Sequence, residues 1–107
     1  MMPRKEVKKM YDLIKIFNEY GFCTNRYGDL LIGTIKHDGI EATIIINKIS
    51  EYEYNVKSFE KSIDLILSEY RNSDCNDLSE FLFADTDVYY YRDVGKILYD
   101  YTSQYNI

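Results

Sequence analysis

The pair Asp38-Gly39 constrains this chain most, because it separates two runs of β-forming residues. The runs are 30–37 and 40–47, and both are rich in aliphatic residues. A two-residue turn of type I′ needs positive φ at both central positions, and Asp-Gly is among the pairs that adopt it most readily. The sequence therefore predicts an antiparallel β-hairpin whose turn is Asp38-Gly39.

Periodic apolar residues predict a third strand and a first helix. Residues 51–57 alternate, which places Tyr52, Tyr54 and Val56 on one face of a strand. A first helix is indicated by apolar residues at helical spacing: Val7, Met10, Leu13, Ile14 and Phe17. Gly21 stands where a left-handed C-terminal cap is usually needed, so we expect the helix to end there and an extended segment to follow at 22–24.

The second half of the chain predicts two to three further helices. Ser58 is a suitable N-cap for a second helix, with Phe59, Ile63, Ile66, Leu67 and Tyr70 on one face. A short helix is expected over 77–83, and a last helix from about Asp87, with Val88, Tyr91, Val94, Leu98, Tyr101 and Tyr105 along one side. The predicted fold class is α+β: an N-terminal helix, a three-stranded antiparallel β-meander, then two to three helices packed on the sheet, in a single domain over 1–107.

Charge is distributed unevenly between the two halves. Residues 1–50 carry eight Lys/Arg and six Asp/Glu, whereas residues 51–107 carry five and twelve. Within 74–87 there is no Lys or Arg, and the stretch contains Asp74, Asp77, Glu80, Asp85 and Asp87. Carboxylates repel phosphate backbones and attract basic surfaces. The sequence therefore predicts a basic protein partner and no direct nucleic-acid binding, with a solvated acidic face as the alternative.

No catalytic or metal-binding pattern is present, so we expect neither an enzyme nor a cofactor. His37 beside Asp38 could act as an acid or base, and Cys23 could serve as its nucleophile, but a turn histidine and a buried cysteine are expected instead. Asp85-Thr86-Asp87 lacks the glycine and distal glutamate of a calcium loop, which favours a helix N-cap.

The N-terminal residues lack the pattern of a signal peptide or a membrane span. The cysteines, Cys23 and Cys75, are typical of reduced thiols. These features predict no membrane partner and a cytoplasmic location.

Two segments carry a resemblance: Asp12-Leu13-Ile14-Lys15 in the first helix and Asp38-Gly39-Ile40-Glu41 in the hairpin. With the order of elements, they make residues 10–83 similar to small, acidic, phage-encoded anti-CRISPR inhibitors that mimic DNA and act on type II effector nucleases. The resemblance implies that the protein acts in the cytoplasm of a bacterial host cell. It also implies that Asp38, Gly39 and Glu41 bind a basic surface that otherwise receives DNA. Asp74, Asp77 and Glu80 correspond to that family's later acidic cluster in location and charge only, and the part from Tyr89 onward has no counterpart.

The expected function is therefore that of a stoichiometric inhibitor whose acids imitate phosphates on a nuclease surface. The expected partner-binding residues are Asp38, Gly39, Glu41, Asp74, Asp77, Glu80, Asp85 and Asp87, with Phe81, Phe83 and 89–91 as apolar anchors. Three alternatives stay open: a toxin-neutralising immunity protein, a small enzyme using His37 and Cys23, and a structural module. In the last case Tyr91, Tyr101 and Tyr105 would form a homodimer seam.

Overall fold

A computed structural model describes the backbone of residues 3–105 and the side chains of residues 10–105. In chain order the elements are α1 (Pro3–Glu19), β1 (Cys23–Tyr27), β2 (Leu30–His37), β3 (Ile40–Lys48), β4 (Glu53–Phe59), α2 (Ile63–Arg71), α3 (Leu78–Phe83), β5 (Val88–Tyr90) and α4 (Tyr91–Ser103). The α+β class and the helix preceding an antiparallel sheet are confirmed.

The sheet has five strands rather than the predicted three. Its order is β1-β2-β3-β4-β5, and each strand pairs antiparallel with its neighbour in sequence. The predicted hairpin is confirmed, with φ of 50° at Asp38 and 82° at Gly39. A second two-residue turn joins β1 to β2, where Gly28 has φ of 61° at the first central position, as a type II′ turn requires.

The predicted end of α1 is also confirmed. Gly21 has φ of 81°, and its amide donates to the Asn18 carbonyl while the Phe22 amide donates to the Phe17 carbonyl. These two bonds form a Schellman motif, which satisfies carbonyls at the helix end. Met10, Leu13 and Phe17 are buried as the periodicity predicts, whereas the Val7 side chain lies outside the described residues.

The predicted start of the second helix at Ser58 is wrong. β4 continues through Ser58 to Phe59, because Phe59 pairs with Thr43 and the Thr43 hydroxyl donates to the Lys61 carbonyl at 2.9 Å. The N-cap of α2 is therefore Ser62, whose hydroxyl accepts from the Leu65 amide at 3.1 Å. The predicted short helix at 77–83 is confirmed as α3.

The last helix begins at Tyr91 instead of near Asp87. Residues 88–90 form β5, which pairs with Glu53–Asn55 of β4. Tyr90 occupies the N-cap position of α4, and its side chain makes no capping hydrogen bond. The expected capping role of Asp85 and Asp87 is thus wrong, because both precede a strand.

Helices cover both faces of the sheet. On one face α1 and α4 enclose a core that includes Leu31, Ile44, Ile46, Tyr54 and Val56; on the other, α2 and α3 pack on Ile45 through Ile66, Leu82 and Phe83. The middle of β3, residues 42–46, is buried on both faces. Tyr91, Tyr101 and Tyr105 pack against the first core, so this stripe belongs to the interior surface of α4.

Candidate protein-binding surface

The β2–β3 turn presents Asp38 and Gly39 to solvent at one end of the sheet. Asp38 Oδ2 lies 3.1 Å from His37 Nε2. Glu41, also exposed, faces Lys36 directly across the hairpin. The two turn carboxylates therefore have one lysine, Lys36, beside them in the hairpin, so their negative charge is partly offset.

The acidic segment, defined as residues 74–87, differs in this respect. Its carboxylates Asp74, Asp77, Glu80, Asp85 and Asp87 are all exposed. Among the side chains of residues 10–105, none of them forms an ion pair, whereas Glu69 pairs with Lys61 at 2.9 Å. The acidic segment therefore concentrates uncompensated negative charge on the surface.

Local hydrogen bonds fix the first part of the acidic segment. The Tyr70 hydroxyl donates to the Asn76 carbonyl at 3.0 Å, and the Cys75 amide donates to the Ser73 hydroxyl at 3.2 Å. Asp77 Oδ1 accepts from the Ser79 amide at 3.0 Å and so caps α3. A loop held in this way loses less conformational entropy when it binds a partner.

The second part of the acidic segment joins α3 to the sheet. The Thr86 amide donates to the Phe83 carbonyl at 3.1 Å, which closes a turn after α3. The side-chain amide of Asn55 donates through Nδ2 to the Asp87 backbone carbonyl at 3.4 Å. These contacts position the Asp87 side chain directly before β5, on the surface.

The β2–β3 turn and the end of the acidic segment do not lie together. Asn55 pairs with both Asn47 and Val88, so Val88 is level with Asn47 in the sheet. Ile40, next to the turn, lies seven residues from Asn47 along β3, which is a distance of about 23 Å. The turn acids and the end of the acidic segment therefore lie near opposite ends of the sheet.

Asp64 joins the group at the turn and was missed by the sequence analysis. A cavity of about 320 Å³ is lined by Cys23, Lys36, Glu41 and Asp64, among others. Asp64 stands in the first turn of α2, after the Ser62 cap, and lines the same cavity as Glu41. No sequence signal links the two acids.

The structure does not bring Cys23 and His37 together. Cys23 is exposed, so the prediction of a buried thiol is wrong: it lies on an edge strand, at the start of β1. It pairs with Thr34, and His37 is three residues further along β2, about 10 Å away along the strand. Both described cysteines are free thiols.

Most of the predicted aromatic anchors pack in or against the two cores. Phe83 is buried and Phe81 packs against the second core. Burial raises the pKa of Tyr91, with a smaller contribution from Asp12, and burial likewise raises the pKa of Tyr101, with a smaller contribution from Tyr89. Both side chains are partly buried and pack against the first core.

A different apolar patch is open to solvent beside β5. Tyr52, Val88 and Tyr90 have exposed fractions of 53%, 54% and 57%. The Arg92 guanidinium lies over the Tyr90 ring, 5.9 Å from its centroid, and an open depression of about 610 Å³ is lined by Tyr52, Tyr90, Tyr91 and Arg92. The sequence analysis placed Tyr52 with Tyr54 in a strand, and therefore missed this patch.

Comparison with protein-family models, curated proteins and solved structures finds no match. Among the described residues, no helix has the length and apolar character needed to cross a membrane. The described side chains also contain no group of three or more His, Cys, Asp or Glu arranged to hold a metal ion. Any functional interpretation of the surface therefore rests on its own geometry and charge.

Proposed function

We propose that this protein is a stoichiometric inhibitor that binds a basic, nucleic-acid-binding surface of a nuclease. The acidic segment supplies the carboxylates that stand in for phosphates. The observation that supports this proposal is that its five carboxylates are exposed and form no ion pair among the described side chains. A basic partner gains Coulomb energy from such groups without first breaking an existing pair.

The hydrogen bonds within 70–79 add to the proposal. A carboxylate on a fixed loop meets a cationic partner with less loss of entropy than one on a mobile loop. The exposed patch of Tyr52, Val88 and Tyr90 lies beside the acidic segment and offers apolar area for slow dissociation. Charge would thus govern association, and aromatic burial would govern residence time.

The test compares two variants of equal net charge. In the first, Asp74, Asp77, Asp85 and Asp87 become Asn and Glu80 becomes Gln; Asn keeps the N-cap at position 77. In the matched control, five exposed acids elsewhere are replaced in the same way: Asp12, Glu19, Asp29, Glu60 and Asp100. Each variant removes five negative charges, which changes the formal net charge from −5 to 0.

The assay is DNA cleavage by a purified, guide-loaded type II effector nuclease with increasing amounts of each variant. We expect the wild-type chain to inhibit at a one-to-one ratio and to weaken as salt rises. The first variant should inhibit at least about tenfold less well, and the control should resemble wild type. Equal losses in both variants, or wild-type inhibition that is insensitive to salt, would contradict the proposal. A toxin nuclease domain in the same assay tests the immunity-protein alternative.

A separate double variant tests the turn acids. The double variant Asp38→Asn/Glu41→Gln should weaken inhibition less than the first variant does, because it removes two charges rather than five and Lys36 already offsets part of the charge at the turn. A larger effect at the turn would show that the hairpin is the main contact and that the acidic segment is only a solvated face.

A further inference from the structure

β5 has one backbone edge paired with β4 and one edge open, because it is the last strand of the sheet. The Tyr91 amide donates to the Tyr52 carbonyl at 2.8 Å, so residues 52 and 91 belong to the hydrogen-bonded class of antiparallel pairs. The two classes alternate along such a ladder. Tyr54–Tyr89 is therefore a hydrogen-bonded pair, and the backbone groups of Val88 and Tyr90 point away from β4.

Three backbone groups are thus available for pairing: the Val88 N–H, the Val88 C=O and the Tyr90 N–H. The Tyr90 carbonyl is excluded because an N-cap carbonyl accepts the first hydrogen bond of its helix. Among residues 3–105, no turn, loop or cap hydrogen bond uses these three groups. An exposed edge of this kind is a template for an added strand.

The side chains around this edge indicate what kind of strand fits. Tyr89 packs on the first core, so Val88 and Tyr90 point to the opposite face, the one that α3 covers through Leu82. Both side chains are exposed and would flank the side chains of an added strand. The acidic segment, which contains α3, ends directly before Val88.

The charge at this edge selects a basic occupant. Asp85 and Asp87 are exposed and unpaired among the described side chains, whereas Arg92 lies 3.9 Å from Asp93 and is partly offset by it. A second copy of this chain, pairing here about a twofold axis, would bring two acidic segments together, which is repulsive. A strand carrying lysine or arginine would instead be attracted.

We propose that β5 is a docking strand for an extended, basic segment of the partner protein, which adds to the sheet as its next strand. This inference rests on the proposed function and deepens it, because it names the form in which the partner's basic surface is bound. The backbone hydrogen bonds of Val88 and Tyr90 hold the segment, and Asp85 and Asp87 select its charge.

The probe is a short peptide in which lysine alternates with valine, and a matched peptide carries glutamate in place of lysine. Binding is measured by calorimetry, and amide hydrogen exchange is followed residue by residue. We expect the basic peptide alone to bind and to slow exchange at Val88 and Tyr90 by about tenfold or more. Unchanged exchange at these two amides, or equal binding of the acidic peptide, overturns the proposal.

Val88→Pro provides the decisive variant. Proline is tolerated at the first residue of an edge strand, but it removes the outward N–H. The matched control is Thr24→Pro on β1: the turn at 28–29 makes Tyr27–Leu30 a hydrogen-bonded pair, so the Thr24 N–H also points outward. We expect about tenfold weaker peptide binding for Val88→Pro, and no change for Thr24→Pro.

The outcomes separate this inference from the proposed function. Wild-type peptide binding by Val88→Pro, or an equal loss in Thr24→Pro, overturns the inference. Self-association of the wild-type chain that Val88→Pro abolishes also overturns it, because the occupant is then a second copy. If Val88→Pro inhibits the nuclease fully while the variant with five neutralised acids does not, the inference fails and the proposed function stands. If that neutralised variant still inhibits fully, the proposed function fails, whatever the peptide does.

Discussion

Gly33→Ala should destabilise the fold, because Gly33 lies against the ring of Phe17. A Cβ built on Gly33 would lie within 2.7 Å of three atoms of that ring. Ordinary contact begins at 3.4 Å, so even the farthest of the three atoms is 0.7 Å too close, and the nearest, Cε1, requires a larger separation of ring and strand. Phe17 has no exposed surface, and the Phe22 ring centroid is 5.6 Å from its own, so the ring has no free space to enter.

Forcing a methyl group into a packed core costs about 1–3 kcal/mol. The free energy of unfolding, measured by urea titration, should fall by this amount in Gly33→Ala. Phe17→Leu removes the ring that the methyl group meets, so the double variant should be less destabilised than the sum of the two single variants. Additive losses would contradict the proposed contact.

Gly95→Ala is a control with the opposite expected sign. Gly95 lies inside α4, and a Cβ there would be 3.9 Å from Ile16 Cδ1, an ordinary van der Waals contact. Replacing a glycine inside a helix by alanine should stabilise the protein by about 0.5–1 kcal/mol. The reasoning is refuted if Gly33→Ala is as stable as wild type or shifts in the same direction as Gly95→Ala.

Two further predictions concern a helix cap and alkaline stability. Ser62→Ala should lower the free energy of unfolding by about 1 kcal/mol, because the Ser62 hydroxyl caps α2. Ser58→Ala should lower it clearly less, and equal losses would contradict the assignment of Ser62 as the cap. A hydrogen bond with Tyr99, and then burial, raises the pKa of Tyr20 from 10.0 to about 12. Unfolded Tyr20 ionises first, so this stabilisation is complete below pH 10 and is lost as the pH rises to about 12. Tyr20→Phe should therefore show a shallower alkaline loss of stability in urea titrations, and an unchanged loss would contradict the assignment.

Local chemistry predicted the parts of the fold that depend on few residues. The turn at Asp38-Gly39 and the cap at Gly21 each require positive φ, and a glycine in the right context signals this directly. The first hairpin, at Gly28-Asp29, carried a similar signal, because glycine at the first central position favours a type II′ turn. It was missed because residues 23–27 do not alternate between apolar and polar.

Tertiary pairing decided the boundaries that sequence could not. Ser58 and Ser62 are both competent caps, and only the pairing of Phe59 with Thr43 assigns the former to a strand. Likewise β5 has three residues, too few to show alternation, and Val88 happens to continue the helical spacing of Tyr91 and Val94. Packing against β4 overrides that local preference.

The candidate surface was predictable in composition but not in arrangement. The charge count found the acidic segment, because a run without lysine or arginine is visible in the sequence. It could not show that the Asp38 carboxylate contacts the His37 imidazole, or that Val88 and Tyr90 have outward backbone groups. Those features depend on strand register, which long-range packing sets.

The order of strands along the sheet has a consequence for how the chain folds during synthesis. Each strand pairs with the one made just before it, so the first four can assemble as soon as Phe59 is available, with little cost in loop closure. α1 is made first, yet Val94 and Leu98 of α4, which complete its core, come more than 70 residues later. At ribosomal speed that gap lasts about 4–15 s. Until then one side of the α1 core lacks its cover, so chaperones and proteases can reach the apolar face of α1 in the nascent chain.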